Sequence, residues 1–206
     1  MGTRDRPLDE ADIDPDPIVQ FGRWFDDAVA HRADQPDAMV VATVSGDGAP
    51  NARVVLLRGV DEDAFRFFTD LESAKGVELA ADPRVAVLFH WRETGRQVRA
   101  RGVVERVAPD DVVAAWAVRP RESRISAWAS RQSRPIASRA VMERTADEVR
   151  RRLGDDGDAD LPPSWGGYRV VVHELELWQH REHRFHDRLR YVRGASGAWV
   201  VERLQP

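Results

Sequence analysis

AMVVATVSGDGAPNARVVLLRGV, residues 38 to 60, decides the fold. Residues 38–44 are apolar and largely β-branched, which suits a pleated strand. SGDG (45–48) supplies glycines that accept positive φ, so the chain can reverse. NARVVLLRGV (51–60) reads as the returning strand. A hairpin this early sets an antiparallel sheet.

The same alternation continues outward. DEDA (61–64) is a turn and FRFFTD (65–70) a strand. SAKGVELAADP (73–83) reads as a short helix opened by Ser73 and closed before Pro83. RVAVLFHW (84–91) and RQVRARGVVERV (96–107) are two more strands around the turn ETG. After helices at 109–118, 123–130 and 139–153, strands return at 166–179, 184–193 and 198–204. GDDGDADLPPS (154–164) is a solvated acidic loop. Asp16 and Pro17 cap a helix over 17–31 with Ile18, Phe21, Trp24, Phe25 and Ala28 on one face. Sequential strands joined by tight turns argue for an antiparallel barrel, mainly β with flanking helices. Residues 1–16 read as a mobile arm, and 17–206 as a single domain.

Composition narrows the function. The chain has 206 residues, 42% hydrophobic and 32% charged, with a formal charge of −4. No apolar run approaches the roughly 18 residues of a membrane span. No signal peptide is visible. Without cysteine, disulfides, thiol nucleophiles and cysteine-based zinc sites are excluded. The expected setting is the cytoplasm, with no membrane partner.

Against this acidic background, RPRESRISAWASRQSRPIASR (119–139) carries six arginines, five serines and one acid. Guanidinium forks and hydroxyl donors suit phosphate oxygens, although composition alone favours a solvated helical face. A nucleic-acid partner is not expected, because the segment lacks aromatics at regular spacing. Lys75 is the one lysine among 31 basic residues. His180, His183 and His186 straddle a turn, so their spacing does not make a metal site. In an extended strand, Arg184, His186 and Arg188 would share one face.

These residues resemble the pyridoxamine (pyridoxine) 5′-phosphate oxidase family. The resemblance runs in order through ARVVLLR (52–58), FFTDLESAKG (67–76), ADPRVAVLFHW (81–91), GRQVRARG (95–102), RPRESRISAWASRQS (119–133), SWGGYRV (164–170) and LWQHREHRFHDRLRY (177–191). It implies a split β-barrel homodimer with flavin mononucleotide (FMN) at the subunit interface. It implies FMN contacts at Arg53, at Val54, Val55, Leu56 and Leu57 through the backbone, and at Phe68, Thr69, Lys75, Gln97, Gln132, Ser133, Trp178 and Arg188. It implies that Arg58, Arg119 and Ser123 take the phosphate of a small ring substrate, and that Arg184 and His186 lie over the substrate ring as catalytic residues. The implied reaction moves hydride from the substrate 4′ carbon to the flavin, which oxygen then reoxidises with release of hydrogen peroxide.

The chain departs from the family pattern in four places. Arg58 replaces a lysine, Ala115 a tyrosine beside Trp116, Ala74 an arginine, and Phe68 a tyrosine. Two alternatives stay open: a flavin oxidase of the phenazine-biosynthesis type, and a non-catalytic FMN- or pyridoxal-phosphate-binding protein.

Overall fold

The computed structural model describes residues 7–154 and 157–206. Among them, nine strands form one antiparallel sheet curled into a split barrel: β1 (Ala38–Val44), β2 (Pro50–Leu56), β3 (Gly59–Val60), β4 (Ala64–Asp70), β5 (Arg84–Trp91), β6 (Arg96–Arg106), β7 (Trp165–Gln179), β8 (Asp187–Arg193) and β9 (Trp199–Arg203). Their order is β2-β1-β5-β6-β7-β4-β3, with β8 on the far half of β7 and β9 beyond it. The opening hairpin pairs Ala38 with Leu56 and Val44 with Pro50, as its alternation predicts.

Helix α1 (Pro17–Ala30) begins at Asp16, whose carboxylate accepts from the N–H groups of Ile18 and Val19. Its buried face plugs the barrel. Phe21 is fully buried, with ring centroids 4.6 Å from Phe65 and 4.8 Å from Phe89. Helices α3 (Pro109–Ala117) and α4 (Arg121–Ala129) cover a second apolar cluster around Trp116 and Trp165, while α5 (Arg139–Leu153) lies outside. Helix α2 (Ala74–Ala81) crosses close to the chain at Leu71. A Cβ on Gly76 would lie 2.2 Å from the Leu71 carbonyl oxygen, so only glycine fits.

Three expectations change. The strand expected over 51–60 breaks after Leu56. Leu57 is buried and donates its N–H to Asp37 O, whereas Arg58 turns to donate to Arg66 O, so Gly59 and Val60 pair with β4 instead. The strand expected from 184 starts only at Asp187. Residues Glu182–Arg184 form a 3-10 turn, with φ of 54° at His183 and 65° at Arg184. Left-handed backbone ends strand alternation, so Arg184 does not share a strand face with Arg188. The arm expected over 1–16 lies outside the described residues only through residue 6. From Pro7 onward it packs down. Leu8 is buried and donates its N–H to Asp187 Oδ2 at 3.1 Å, and Glu10 takes a two-point contact from Arg203.

Candidate functional site

The sequence-derived residues fall into two groups. The first lines a cleft of about 1180 Å³ between the opening hairpin, α2 and the α3–α4 corner. Arg53, Val54, Val55, Leu56, Arg58, Phe68, Thr69, Lys75, Arg119, Ser123, Gln132 and Ser133 all reach it; Leu57, turned into the core, does not. β2 is an edge strand, so half of its peptide groups point outward and are free to bond a ligand. Val54 is 61% exposed there.

Lys75 is the centre of this cleft. It sits on the first turn of α2 and is 6% exposed. Its ammonium donates to Gln132 Oε1 at 2.8 Å, Thr69 Oγ1 at 3.0 Å and Ser73 Oγ at 3.3 Å. All three partners are neutral. Burial, then repulsion from Arg53, pulls its pKa below the ordinary lysine value. Asp70 and Glu78 lie near enough to oppose this shift but neither bonds the ammonium, and a buried cation whose hydrogen bonds all go to neutral acceptors is set up to receive an anion.

Arg53 is placed differently. Its Nη2 donates to Glu78 Oε2 at 2.9 Å, and its Nη1 to Thr43 Oγ1. Asn51 Nδ2 also donates to Glu78, at 2.9 Å. Burial opposes ionisation of Glu78, but these donors hold its pKa below the usual carboxylate range. Neither Glu78 nor Thr43 was expected at the site. Their signal was faint: Lys75, Gly76, Glu78 and Leu79 share the buried face of α2, so an acid stands in phase with the one lysine.

The far end of the cleft holds a second cationic pair. Arg119 lies with its Cζ 5.5 Å over the Trp165 ring, which stacks on Phe68 with centroids 5.0 Å apart. The Arg119 Nε is buried without a hydrogen-bond partner. Burial and the nearby Arg58 lower its pKa. Arg58 is tied to Asp37 at 2.7 Å, and Ser123 faces the same space. Trp116 does not replace the hydroxyl absent at Ala115, because its Nε1 donates to Ala159 O at 2.8 Å inside the second apolar cluster.

The second group lies on the other half of the sheet. Gln97, Trp178 and Arg188 are direct cross-strand partners on β6, β7 and β8, and so form one row on one face. Beside it, Trp178, Arg184 and His186 line a shallow depression with His180. The His186 ring lies 4.5 Å from Trp178 and 5.3 Å from His180. Its Nδ1 accepts the Arg181 N–H at 3.1 Å. Desolvation, then His180 and Arg184, lowers its pKa, so near neutral pH the ring is neutral with its proton on Nε2. Arg184 is exposed and has no carboxylate partner among the described residues.

The two groups do not meet within one chain. Trp165 lines the cleft and Trp178 the depression, thirteen residues apart on the same strand. At the usual rise that is about 40 Å along a curving strand, and no described residue lines both.

The basic segment 119–139 also divides. Arg119, Ser123, Gln132 and Ser133 enter the cleft. Arg124 pairs with Asp158, Arg121 donates to Gly154 O, and Trp128 Nε1 donates to Asp160 O. Of its six arginines, Arg124 thus meets a carboxylate of the acidic loop and Arg121 a backbone carbonyl there.

Comparison with known proteins agrees along the chain. The family model described as pyridoxamine 5′-phosphate oxidase matches residues 25–152, and that of the pyridoxine 5′-phosphate oxidase C-terminal dimerisation region matches 165–206. A pyridoxine/pyridoxamine 5′-phosphate oxidase of Cupriavidus pinatubonensis is 50% identical over 199 residues, 97% of this chain and 93% of that protein. One from Burkholderia multivorans is 51% identical over 201 residues, with the same coverage. Among solved structures, PhzG from Burkholderia lata, in complex with tetrahydrophenazine-1-carboxylic acid, superposes with a TM-score of 0.92 at 30% identity over the whole of both chains.

Proposed function

The chain belongs to the pyridoxamine 5′-phosphate oxidase family, and on that premise we propose that it is an FMN-dependent oxidase. It converts pyridoxamine or pyridoxine 5′-phosphate to pyridoxal 5′-phosphate, with oxygen as acceptor and hydrogen peroxide as product. Identity of about one half to oxidases of that name, against 30% to PhzG, favours this substrate over a phenazine precursor.

The observation that carries the reading is the pair of unanswered cations at the two ends of one cleft. Lys75 is buried among neutral partners, and the Arg119 Nε is buried with none. An FMN phosphate carries about −1.5 to −2 charges and fits the first, with Arg53 beside it. The substrate phosphate fits the second, with Arg58 and Ser123. The flavin, when bound, supplies the hydride acceptor and the reaction with oxygen.

The chain's own residues bind and orient. The outward peptide groups of β2 and the Gln132 amide offer donors and acceptors to the flavin's polar edge. Phe68 and Trp165 form an apolar wall under the Arg119 site. The neutral His186 offers an Nε2 proton, and the exposed Arg184 a fixed positive charge, for orienting the substrate ring. Residues 165–206 match the dimerisation region, and the protein acts as a homodimer. With its two groups on different halves of the sheet, each subunit carries two half-sites. One complete site then takes Lys75, Arg53 and Arg119 from one subunit and Gln97, Trp178, Arg184, His186 and Arg188 from its partner.

Anaerobic mixing of the FMN-loaded protein with pyridoxamine 5′-phosphate tests the reading. The flavin absorbance should bleach and pyridoxal 5′-phosphate should form in equal amount. Bleaching by a reduced phenazine carboxylate alone would overturn the substrate. Failure of the protein to bind FMN would overturn the cofactor.

A further inference from the structure

In the second half-site Arg188 is held at two of its three nitrogens. Its Nε donates to Glu176 Oε1 at 2.8 Å, and its Nη1 donates to the carbonyl oxygen of Gln205 at 3.0 Å. Nη2 has no protein partner among the described residues. Glu176 is itself fixed: its side chain is 5% exposed and its other oxygen takes Arg99. Burial works against its charge, but the two guanidinium groups keep the carboxylate ionised. Residues past β9 are tied to the same point, because the Leu204 N–H donates to the Arg188 carbonyl at 2.9 Å. A free arginine side chain has rotamer entropy to lose on binding. Here most of that freedom is gone before any ligand arrives.

We propose that Glu176 and the Gln205 carbonyl are positioning groups that lock Arg188 so that its Nη2 edge faces the flavin beside Gln97 and Trp178. The proposal rests on the reading that FMN occupies this row. It adds two groups that touch no ligand themselves.

The test is titration of apo-protein with FMN, followed by flavin fluorescence and the visible spectrum. It compares wild type, Glu176→Gln, a chain ended after Leu204, Arg188→Lys and Arg99→Gln. Glu176→Gln and the shortened chain should each weaken FMN binding about tenfold. Both should move the flavin absorption bands in the same sense as Arg188→Lys. Arg99→Gln breaks the other half of the same buried ion pair but leaves Arg188 anchored, so it should bind within about twofold of wild type. If Arg99→Gln weakens binding as much as Glu176→Gln, Glu176 acts through sheet stability and the proposal falls. It also falls if the shortened chain binds FMN as wild type does, and that arm decides alone should Glu176→Gln fail to fold. A wild type that binds no FMN would remove the oxidase reading itself, a distinct result.

Discussion

The cleft around Lys75 and the row around Trp178 treat positive charge in opposite ways. In the cleft, Arg53 and Arg58 have their acids, but Lys75 and Arg119 are buried or half-buried without a paired carboxylate. In the row and the strands beside it, arginine after arginine has its acid: Arg188 and Arg99 share Glu176, Arg101 has Glu174, and Arg190 has Glu202. Arg184, on its left-handed turn, is exposed and has no carboxylate partner among the described residues. Unanswered charge stores binding energy for an anion, because desolvation has already been imposed on the cation. Answered charge fixes direction, because a paired guanidinium has few rotamers left. On the proposed reading, one half of the sheet attracts phosphate and the other orients a ring.

The sharpest attempt to break this division mixes two inactive homodimers. Lys75→Met should remove FMN retention, and Arg184→Ala should remove turnover while FMN stays bound. Random exchange of subunits gives mixed dimers with one intact site each, so activity should return to about a quarter of wild type. No recovery would mean that both groups serve one subunit's site.

A smaller effect is expected at the far end of the cleft. Arg119→Ala should raise KM for pyridoxamine 5′-phosphate about ten- to hundredfold, the scale of a charged hydrogen bond. Turnover of unphosphorylated pyridoxamine should change little. Equal losses on both substrates would show that Arg119 holds structure and not phosphate.

The shift at Lys75 gives a pH dependence. Its free-state pKa is lowered, and a bound phosphate raises it, so binding takes up a proton once the free ammonium begins to deprotonate. FMN affinity should therefore fall as pH rises through a value below the ordinary lysine pKa of about 10.4. The same sign makes the apo-protein gain stability from this group as pH rises there. Titrations at stepped alkaline pH check both, and a flat affinity profile would contradict the unanswered-cation argument. The smallest functional change belongs to Trp116→Phe. It strands the buried Ala159 carbonyl and should cost about 1–3 kcal/mol of stability by denaturant melts, with KM and kcat near wild type.

Much of the fold was legible because strand alternation and turn glycines act locally. The hairpin at 38–56 needed only its own residues. The break at Leu57 was not legible, because it depends on Arg58 finding the Arg66 carbonyl across the sheet. The turn at His183 and Arg184 hid for a similar reason: HREHRFHD carries no glycine to announce positive φ. At the site, the ordered motifs led to Lys75, Gln132 and Arg119, and the cleft gathers all three. Glu78, Glu176 and Gln205 carried no such mark. Each matters only through an arginine it meets at sequence separations of 25, 12 and 17.

By itself the sequence determined the strands, the helix caps, the family and the residues able to meet phosphate, since these follow from residue type and short-range order. Tertiary structure alone decided which cations are answered and which are left bare, and that the two groups of site residues lie on opposite halves of one sheet. Both depend on distance and burial between residues remote in sequence, and pairing energy and desolvation are set only once the chain has closed on itself.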